Sequence, residues 1–175
     1  MQQNKELIKA LKFAIEFEIK GENIYEDIAN EAEDDFVKNT FNGLADDETE
    51  HIRVINKYME SIEEESEFAL DKEMEKVKDL KPKRLFGMLT EDFKKRAKLN
   101  EEKLKPFDTG IELEKNSIDY YKEQSKKAKS EITKKFFEFL VKQEQFHLRS
   151  LQEAKDFLGD PENFYVEFER WTLEG

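Results

Sequence analysis

Two copies of a Glu-x-x-His motif, 96 positions apart, constrain the fold of this 175-residue chain more than any other feature. The copies, Glu48–His51 and Glu144–His147, contain both histidines of the sequence. On either side of each copy, apolar residues recur at alternating steps of three and four, the spacing of one face of an α-helix. The sequence therefore predicts two long helices whose buried faces carry a carboxylate and an imidazole at their centres.

The two predicted faces match each other along their length. The first consists of Val37, Phe41, Leu44, Glu48, His51, Ile55, Tyr58 and Ile62, and the second of Phe137, Leu140, Glu144, His147, Leu151, Ala154 and Leu158. A carboxylate buried without a partner is costly or takes up a proton. Glu and His three residues apart point the same way and can ligate one metal ion together. The matching places in two apolar faces favour this interpretation over a chance spacing of ordinary helix residues.

The same 96-residue shift superimposes two further helical segments. Glu18 falls on Glu114 and Tyr25 falls on Tyr121, and in each half 30 residues separate the first Glu from the Glu of the motif. Such self-similarity indicates a duplicated helical hairpin with pseudo-twofold symmetry. The two tyrosines lie two turns beyond Glu18 and Glu114. The sequence leaves open whether they are core aromatics or donate hydrogen bonds to a ligand carboxylate.

Other acidic residues near the motifs are predicted to lie outside the site. They are off the apolar faces or have no acidic counterpart in the other half: Glu16, Glu22, Glu50 and Glu112.

Composition limits the function classes. A net charge of −12 argues against nucleic acid or an anionic membrane as a partner. With no cysteine, the chain cannot form disulfides, a Cys-ligated zinc site, an iron–sulfur cluster or a thiol nucleophile. The N-terminus has no apolar signal core and no 18-residue apolar run follows, so we expect a cytoplasmic protein.

The chain is predicted to form one bundle and a tail. Residues 1–160 contain the four helices, with a long helical crossover at about 66–107 that Pro82 interrupts. Pro106 is predicted to open the third helix. Residues 161–175 form a short amphipathic helix that packs on the bundle or on another subunit.

Helix-end signals support these boundaries. Asp34 and Ser130 precede the second and fourth predicted helices, where their side chains can accept hydrogen bonds from free backbone N–H groups. The sequence Gly159-Asp160-Pro161 is predicted to end the fourth helix and start the tail.

The two hairpins, each with Glu-x2-small-x3-Tyr followed by Glu-x-x-His, resemble the rubrerythrin branch of the ferritin-like di-iron proteins over residues 5–158. The resemblance implies an all-α ferritin-like four-helix bundle with two iron ions, for which manganese or zinc can substitute. The resemblance also implies six metal ligands, which take part in catalysis by holding the metal ions: Glu18, Glu48, His51, Glu114, Glu144 and His147.

The resemblance also implies a function. Rubrerythrin-like proteins are oxidoreductases, and the expected reaction is reduction of hydrogen peroxide or dioxygen. The cysteine-rich rubredoxin-like module of rubrerythrins is missing, so the electrons are expected from an external donor protein, and a homodimer or larger homo-oligomer is expected. Ser117 stands where rubrerythrins carry an additional Glu on the third helix. Two alternatives are a ferroxidase or iron-handling protein and a bundle with a purely structural metal site.

Overall fold

The computed structural model describes residues 2–66, 68–79 and 97–164, and no strand occurs in these ranges. The main helices are α1 (Gln2–Glu31), α2 (Asp35–Glu63), α3 (Leu70–Asp79), α4 (Glu101–Lys127) and α5 (Glu131–Gly159). The predicted all-α architecture is confirmed. The predicted crossover segments around Pro82 and the tail beyond residue 164 lie outside the described residues. Among the helices described, none has the length and apolarity required to cross a membrane.

The predicted helix caps are present. The Asp34 carboxylate accepts hydrogen bonds from the backbone N–H groups of Phe36, at 2.9 Å, and Val37, at 3.1 Å. The Ser130 hydroxyl accepts one from the N–H of Thr133 at 3.1 Å. Each cap satisfies donors that have no partner inside the helix, which is typically worth about 1 kcal/mol. The turns between the paired helices are therefore fixed by short polar side chains.

The predicted start of the third bundle helix at Pro106 is wrong, because α4 begins at Glu101. Asn100 caps it, with its side-chain oxygen accepting from the N–H of Lys103 at 3.0 Å. Glu101 and Glu102 lie in the first turn, where negative charge stabilises the helix dipole. Pro106 lies inside the helix and removes one hydrogen bond near its N-terminus. The cap and the acidic first turn stabilise the helix start despite that loss.

The bundle consists of two hairpins. The backbones of α1 and α2 pack closely along each other, as do those of α4 and α5, whereas the backbones of α1 and α4 approach each other closely at fewer positions. Their apolar residues form two layers. The first apolar layer includes Leu11, Ala14, Val54, Ile55, Tyr58, Tyr121, Phe136, Phe137 and Leu140. The second apolar layer includes Tyr25, Phe41, Leu44, Leu104, Phe107, Leu151, Ala154, Phe157 and Leu158.

Helix α3 joins the first apolar layer through Leu70 and Val77. The Glu73 carboxylate lies 2.8 Å from Arg53 Nη1 on α2 and 2.9 Å from Lys76 Nζ on α3 itself. Hydrogen bonds from Lys76 and Arg53 lower the pKa of Glu73 to about 2. The beginning of the crossover is thereby attached to the outside of α2.

Two helical glycines give a test of this packing. A Cβ added at Gly43 meets nothing within 4 Å, whereas one added at Gly110 lies 2.9 Å from Leu151 Cδ1 and 3.3 Å from Tyr25 Cε1. Ala is about 0.5–1 kcal/mol more favourable than Gly inside a helix. We expect Gly43→Ala to raise the free energy of unfolding by about that amount.

Gly110→Ala should gain less or lose stability, because Leu151 and Tyr25 are fully buried and must shift. Urea unfolding of both variants measures the difference. Equal gains would contradict the close approach of α4 to its neighbours.

Candidate metal centre

Six ionisable side chains meet between the two apolar layers, and each is at most 3% exposed. All four long helices contribute. They are Glu18 from α1, Glu48 and His51 from α2, Glu114 from α4, and Glu144 and His147 from α5. On each helix, apolar residues of one layer precede the polar residues and apolar residues of the other layer follow them. The cluster is therefore enclosed along the bundle axis by apolar side chains.

Glu48 and Glu144, the inner glutamates, each approach both imidazoles. His51 Nδ1 lies 3.1 Å from Glu48 Oε2 and 3.2 Å from Glu144 Oε1. His147 Nδ1 lies 3.5 Å from Glu48 Oε1 and 3.2 Å from Glu144 Oε2. The two rings are 5.2 Å apart and inclined by 21°. Each inner glutamate thus presents one oxygen to each histidine, the arrangement expected of a carboxylate that bridges two cations.

Glu18 and Glu114, the outer glutamates, each approach one imidazole. Glu18 Oε2 is 3.4 Å from His51 Nδ1, and Glu114 Oε1 is 3.6 Å from His147 Nδ1. The geometry therefore divides the cluster into two halves, each with one histidine and one outer glutamate. The inner glutamates are common to both halves.

Tyr25 and Tyr121 connect the two hairpins through the outer glutamates. The Tyr25 hydroxyl donates to Glu114 and the Tyr121 hydroxyl donates to Glu18, so each phenol bonds the carboxylate of the opposite hairpin. Burial and the neighbouring carboxylates raise the pKa of both phenols well above the usual range, which keeps them protonated as donors. Both side chains are also fully buried core aromatics. The sequence left open whether the tyrosines are core aromatics or hydrogen-bond donors to the glutamates, and in the structure they are both.

The donor atoms fit a bound metal. Within the described residues, Glu114 Oε2, both oxygens of Glu144 and His147 Nδ1 are buried and make no hydrogen bond. Such atoms normally have a partner, and a cation supplies one. One ligand atom from each of Glu48, His51, Glu144 and His147 lies within 4.8 Å of the others. Carboxylate and imidazole donors suit iron, manganese and zinc.

Burial raises the pKa of Glu18 well above its usual range, and repulsion from the inner glutamates Glu48 and Glu144 adds to the effect. Burial and the charge of Glu144 likewise raise the pKa of Glu114. In protein without metal, the outer glutamates therefore bind protons more readily than ordinary glutamates do. Four ionised carboxylates would otherwise repel one another in a low-dielectric interior.

The inner glutamates behave in the opposite way. Burial opposes ionisation of Glu48, but close contacts with Glu18 and both imidazoles hold the pKa of Glu48 far below its usual range. The pKa of Glu144 is also lowered, because attraction to the imidazoles exceeds the effects of burial and of Glu48. Burial alone would lower the pKa of His51 and His147, yet the surrounding carboxylates raise both well above the ordinary value. Two carboxylates and two imidazolium groups then balance each other.

The acidic residues excluded by the sequence pattern lie away from the cluster. Glu16 and Glu112 are exposed. Glu50 pairs with Arg53 Nε at 2.6 Å, and Glu22 accepts a hydrogen bond from the Thr49 hydroxyl at 2.6 Å.

Ser117 is buried on α4, one turn beyond the outer glutamate Glu114. Its hydroxyl donates to the backbone carbonyl of Leu113 at 3.2 Å. It therefore adds no charge at the place where rubrerythrins carry the additional Glu.

Asp47 is a contact that the sequence pattern did not predict. Its Oδ2 lies 3.3 Å from His147 Nε2, the ring nitrogen opposite to the one that faces the inner glutamates. Asp47 lies three residues after Leu44 and four before His51, so it shares the buried face of α2. Its counterpart under the 96-residue shift is Gln143, so the repeat did not select it; helical spacing was the signal that could have found it.

Two helical hairpins with a buried Glu/His cluster between them define a bundle of the ferritin-like class. The Rubrerythrin family model matches residues 9–155, so the chain belongs to the rubrerythrin family. No curated protein and no solved structure matches the chain significantly. Family membership and the cluster together indicate a site for two metal ions.

The protonation pattern predicts how metal binding depends on pH. Glu18, Glu114, His51 and His147 have raised pKa values, so each keeps its proton to a higher pH than usual, and cations must displace those protons. The apparent metal affinity should therefore rise with pH, and binding should release protons. Calorimetric titration in two buffers of different ionisation enthalpy measures the number released. Binding that is independent of pH and releases no protons would contradict the pattern.

Proposed function

We propose that this protein is a di-iron oxidoreductase that reduces hydrogen peroxide or dioxygen with electrons from an external donor protein. The observation that carries the proposal is the pairing of two histidines through both inner glutamates at the centre of a rubrerythrin-family bundle. A purely structural ion needs only one such set of ligands. Two linked sets favour chemistry that uses two ions together.

The proposed ligands follow the two halves of the cluster. Glu18 and His51 hold one iron ion, and Glu114 and His147 hold the other. Glu48 and Glu144 are shared, because each presents one oxygen to each imidazole. Manganese or zinc can occupy the same donor set.

Reduction of H₂O₂ to two water molecules consumes two electrons and two protons, and a pair of iron ions supplies one electron each. The side chains of the protein exclude water from the cluster and orient its carboxylates. The apolar layers exclude bulk water and strengthen the electrostatic interactions inside the cluster. The phenols of Tyr25 and Tyr121 fix the outer glutamates by hydrogen bonds from the opposite hairpin.

The two electrons used in each turnover must be replaced before the next one. The sequence contains no cysteine for an iron–sulfur relay of its own, so we assign this step to a separate donor protein. A cytoplasmic location and a homodimer or larger homo-oligomer remain predictions from the sequence.

Peroxide consumption by iron-loaded, anaerobically reduced protein tests the proposal. We expect the wild type to hold two iron ions and to consume peroxide as long as reductant is supplied. Glu144→Gln should lose stoichiometric iron and turnover, because Glu144 is shared by both halves. Glu50→Gln is the matched control; it removes one carboxylate from α2, but that carboxylate pairs with Arg53 outside the cluster.

The outcomes separate the alternatives. Two bound metal ions without turnover on peroxide or dioxygen would favour the structural site. Turnover sustained only by excess ferrous iron, in a hollow many-subunit shell, would favour iron handling. If Glu50→Gln loses iron while Glu144→Gln keeps it, the ligand assignment is wrong.

Ser117 predicts a difference from rubrerythrins that carry Glu at this position. A neutral side chain bonded to the Leu113 carbonyl cannot exchange onto a metal ion. An added carboxylate would stabilise the more highly charged ferric state. We therefore expect Ser117→Glu to speed the peroxide-dependent oxidation of reduced protein, measured by stopped-flow absorbance, relative to the exposed neighbour variant Asn116→Glu. Equal rates in both variants would show that position 117 does not limit the reaction.

A further inference from the structure

The two halves of the cluster differ on the outer edge of the imidazoles. His147 Nε2 faces Asp47 Oδ2 at 3.3 Å. His51 Nε2 is buried and makes no hydrogen bond to any described residue. Gln143 occupies the position equivalent to Asp47 in the repeat, and it makes no hydrogen bond with His51 Nε2. The pseudo-twofold symmetry of the cluster ends at this contact.

We propose that Asp47 is a positioning residue for His147, and that the metal position beside His147 is consequently the tighter of the two and fills first. The inference rests on the proposed function in one respect, namely that the Nδ1 atoms of both histidines face metal ions. It goes beyond it by making the two positions unequal.

The physical reason is the tautomer of the imidazole. A histidine that ligates through Nδ1 carries its proton on Nε2, and a carboxylate that accepts this proton fixes the tautomer and the ring orientation. It also increases the electron density that the other nitrogen donates to the metal. His147 has this arrangement with Asp47, whereas the buried Nε2 of His51 has no such acceptor.

The placement of Asp47 suits this role. It lies on α2, directly before Glu48, so the long helix that holds a shared ligand also holds the acceptor for His147 of the opposite hairpin. Its side chain is 17% exposed, against 2% for His147. The carboxylate therefore lies at the boundary between solvent and a fully buried ring.

Calorimetric titration of metal-depleted full-length protein with Co²⁺ alone tests the inference. We expect two binding steps in the wild type. Asp47→Gln, which reproduces the residue of the other half, should weaken the first step by about 10- to 100-fold. Gln143→Asp should tighten the second step, because it gives His51 the missing acceptor. Asp46→Asn, an exposed neighbour that removes the same charge, should change neither.

The metal-free melting temperature of each variant separates positioning from folding, because a merely structural role would shift it. An unchanged melting temperature with a weakened first step supports the inference. A first step that is unchanged in Asp47→Gln, or weakened equally in Asp46→Asn, overturns it. If Asp47→Gln fails to fold, a second step unchanged in Gln143→Asp overturns it. Fewer than two Co²⁺ ions bound by the wild type would instead contradict the dinuclear site itself, and the inference with it.

Discussion

Removing four carboxylates from water in one cross-section of a helical bundle is the constraint on which the rest of the structure depends. Isolated carboxylates in such a place lose several kcal/mol of hydration each, and their mutual repulsion adds to that cost. Two imidazoles and two phenols contact the carboxylates and offset part of this cost. The buried oxygens without a hydrogen bond, and His147 Nδ1, lie where bound cations would contact them. The apolar layers on both sides make this polar layer costly, and its four carboxylates suit it to cations.

Duplication explains how one short motif builds the whole cluster. Each hairpin provides one histidine, one inner and one outer glutamate, and a tyrosine that bonds the other hairpin. These crossed hydrogen bonds connect the two hairpins through the buried cluster itself. Symmetry places these residues in equal halves, and single departures such as Asp47 and Ser117 make the surroundings of the halves chemically different.

Much of this was predictable from the sequence, for identifiable reasons. Helical periodicity placed Glu48 and His51 on a buried face, and the repeat selected Glu18 and Glu114, which lie in the cluster. Periodicity reports one helix at a time, however, so it could not show that each tyrosine bonds the glutamate of the opposite hairpin.

Two other features were not predicted from the sequence. Asp47 was missed because its function depends on how α2 is rotated against α5, and its counterpart is not acidic. The start of α4 was misplaced because a proline that usually opens a helix is tolerated inside one when Asn100 caps it further upstream. The family and the fold follow from the pattern; the differences between the two halves follow from the three-dimensional contacts.

Anomalous diffraction from crystals of the iron-loaded protein, measured at the iron absorption edge, tests the central claim most directly. The account predicts two iron peaks per chain, one beside Nδ1 of each histidine, with both inner glutamates between them. A single peak, or peaks on exposed acidic residues with the buried cluster empty, would contradict it.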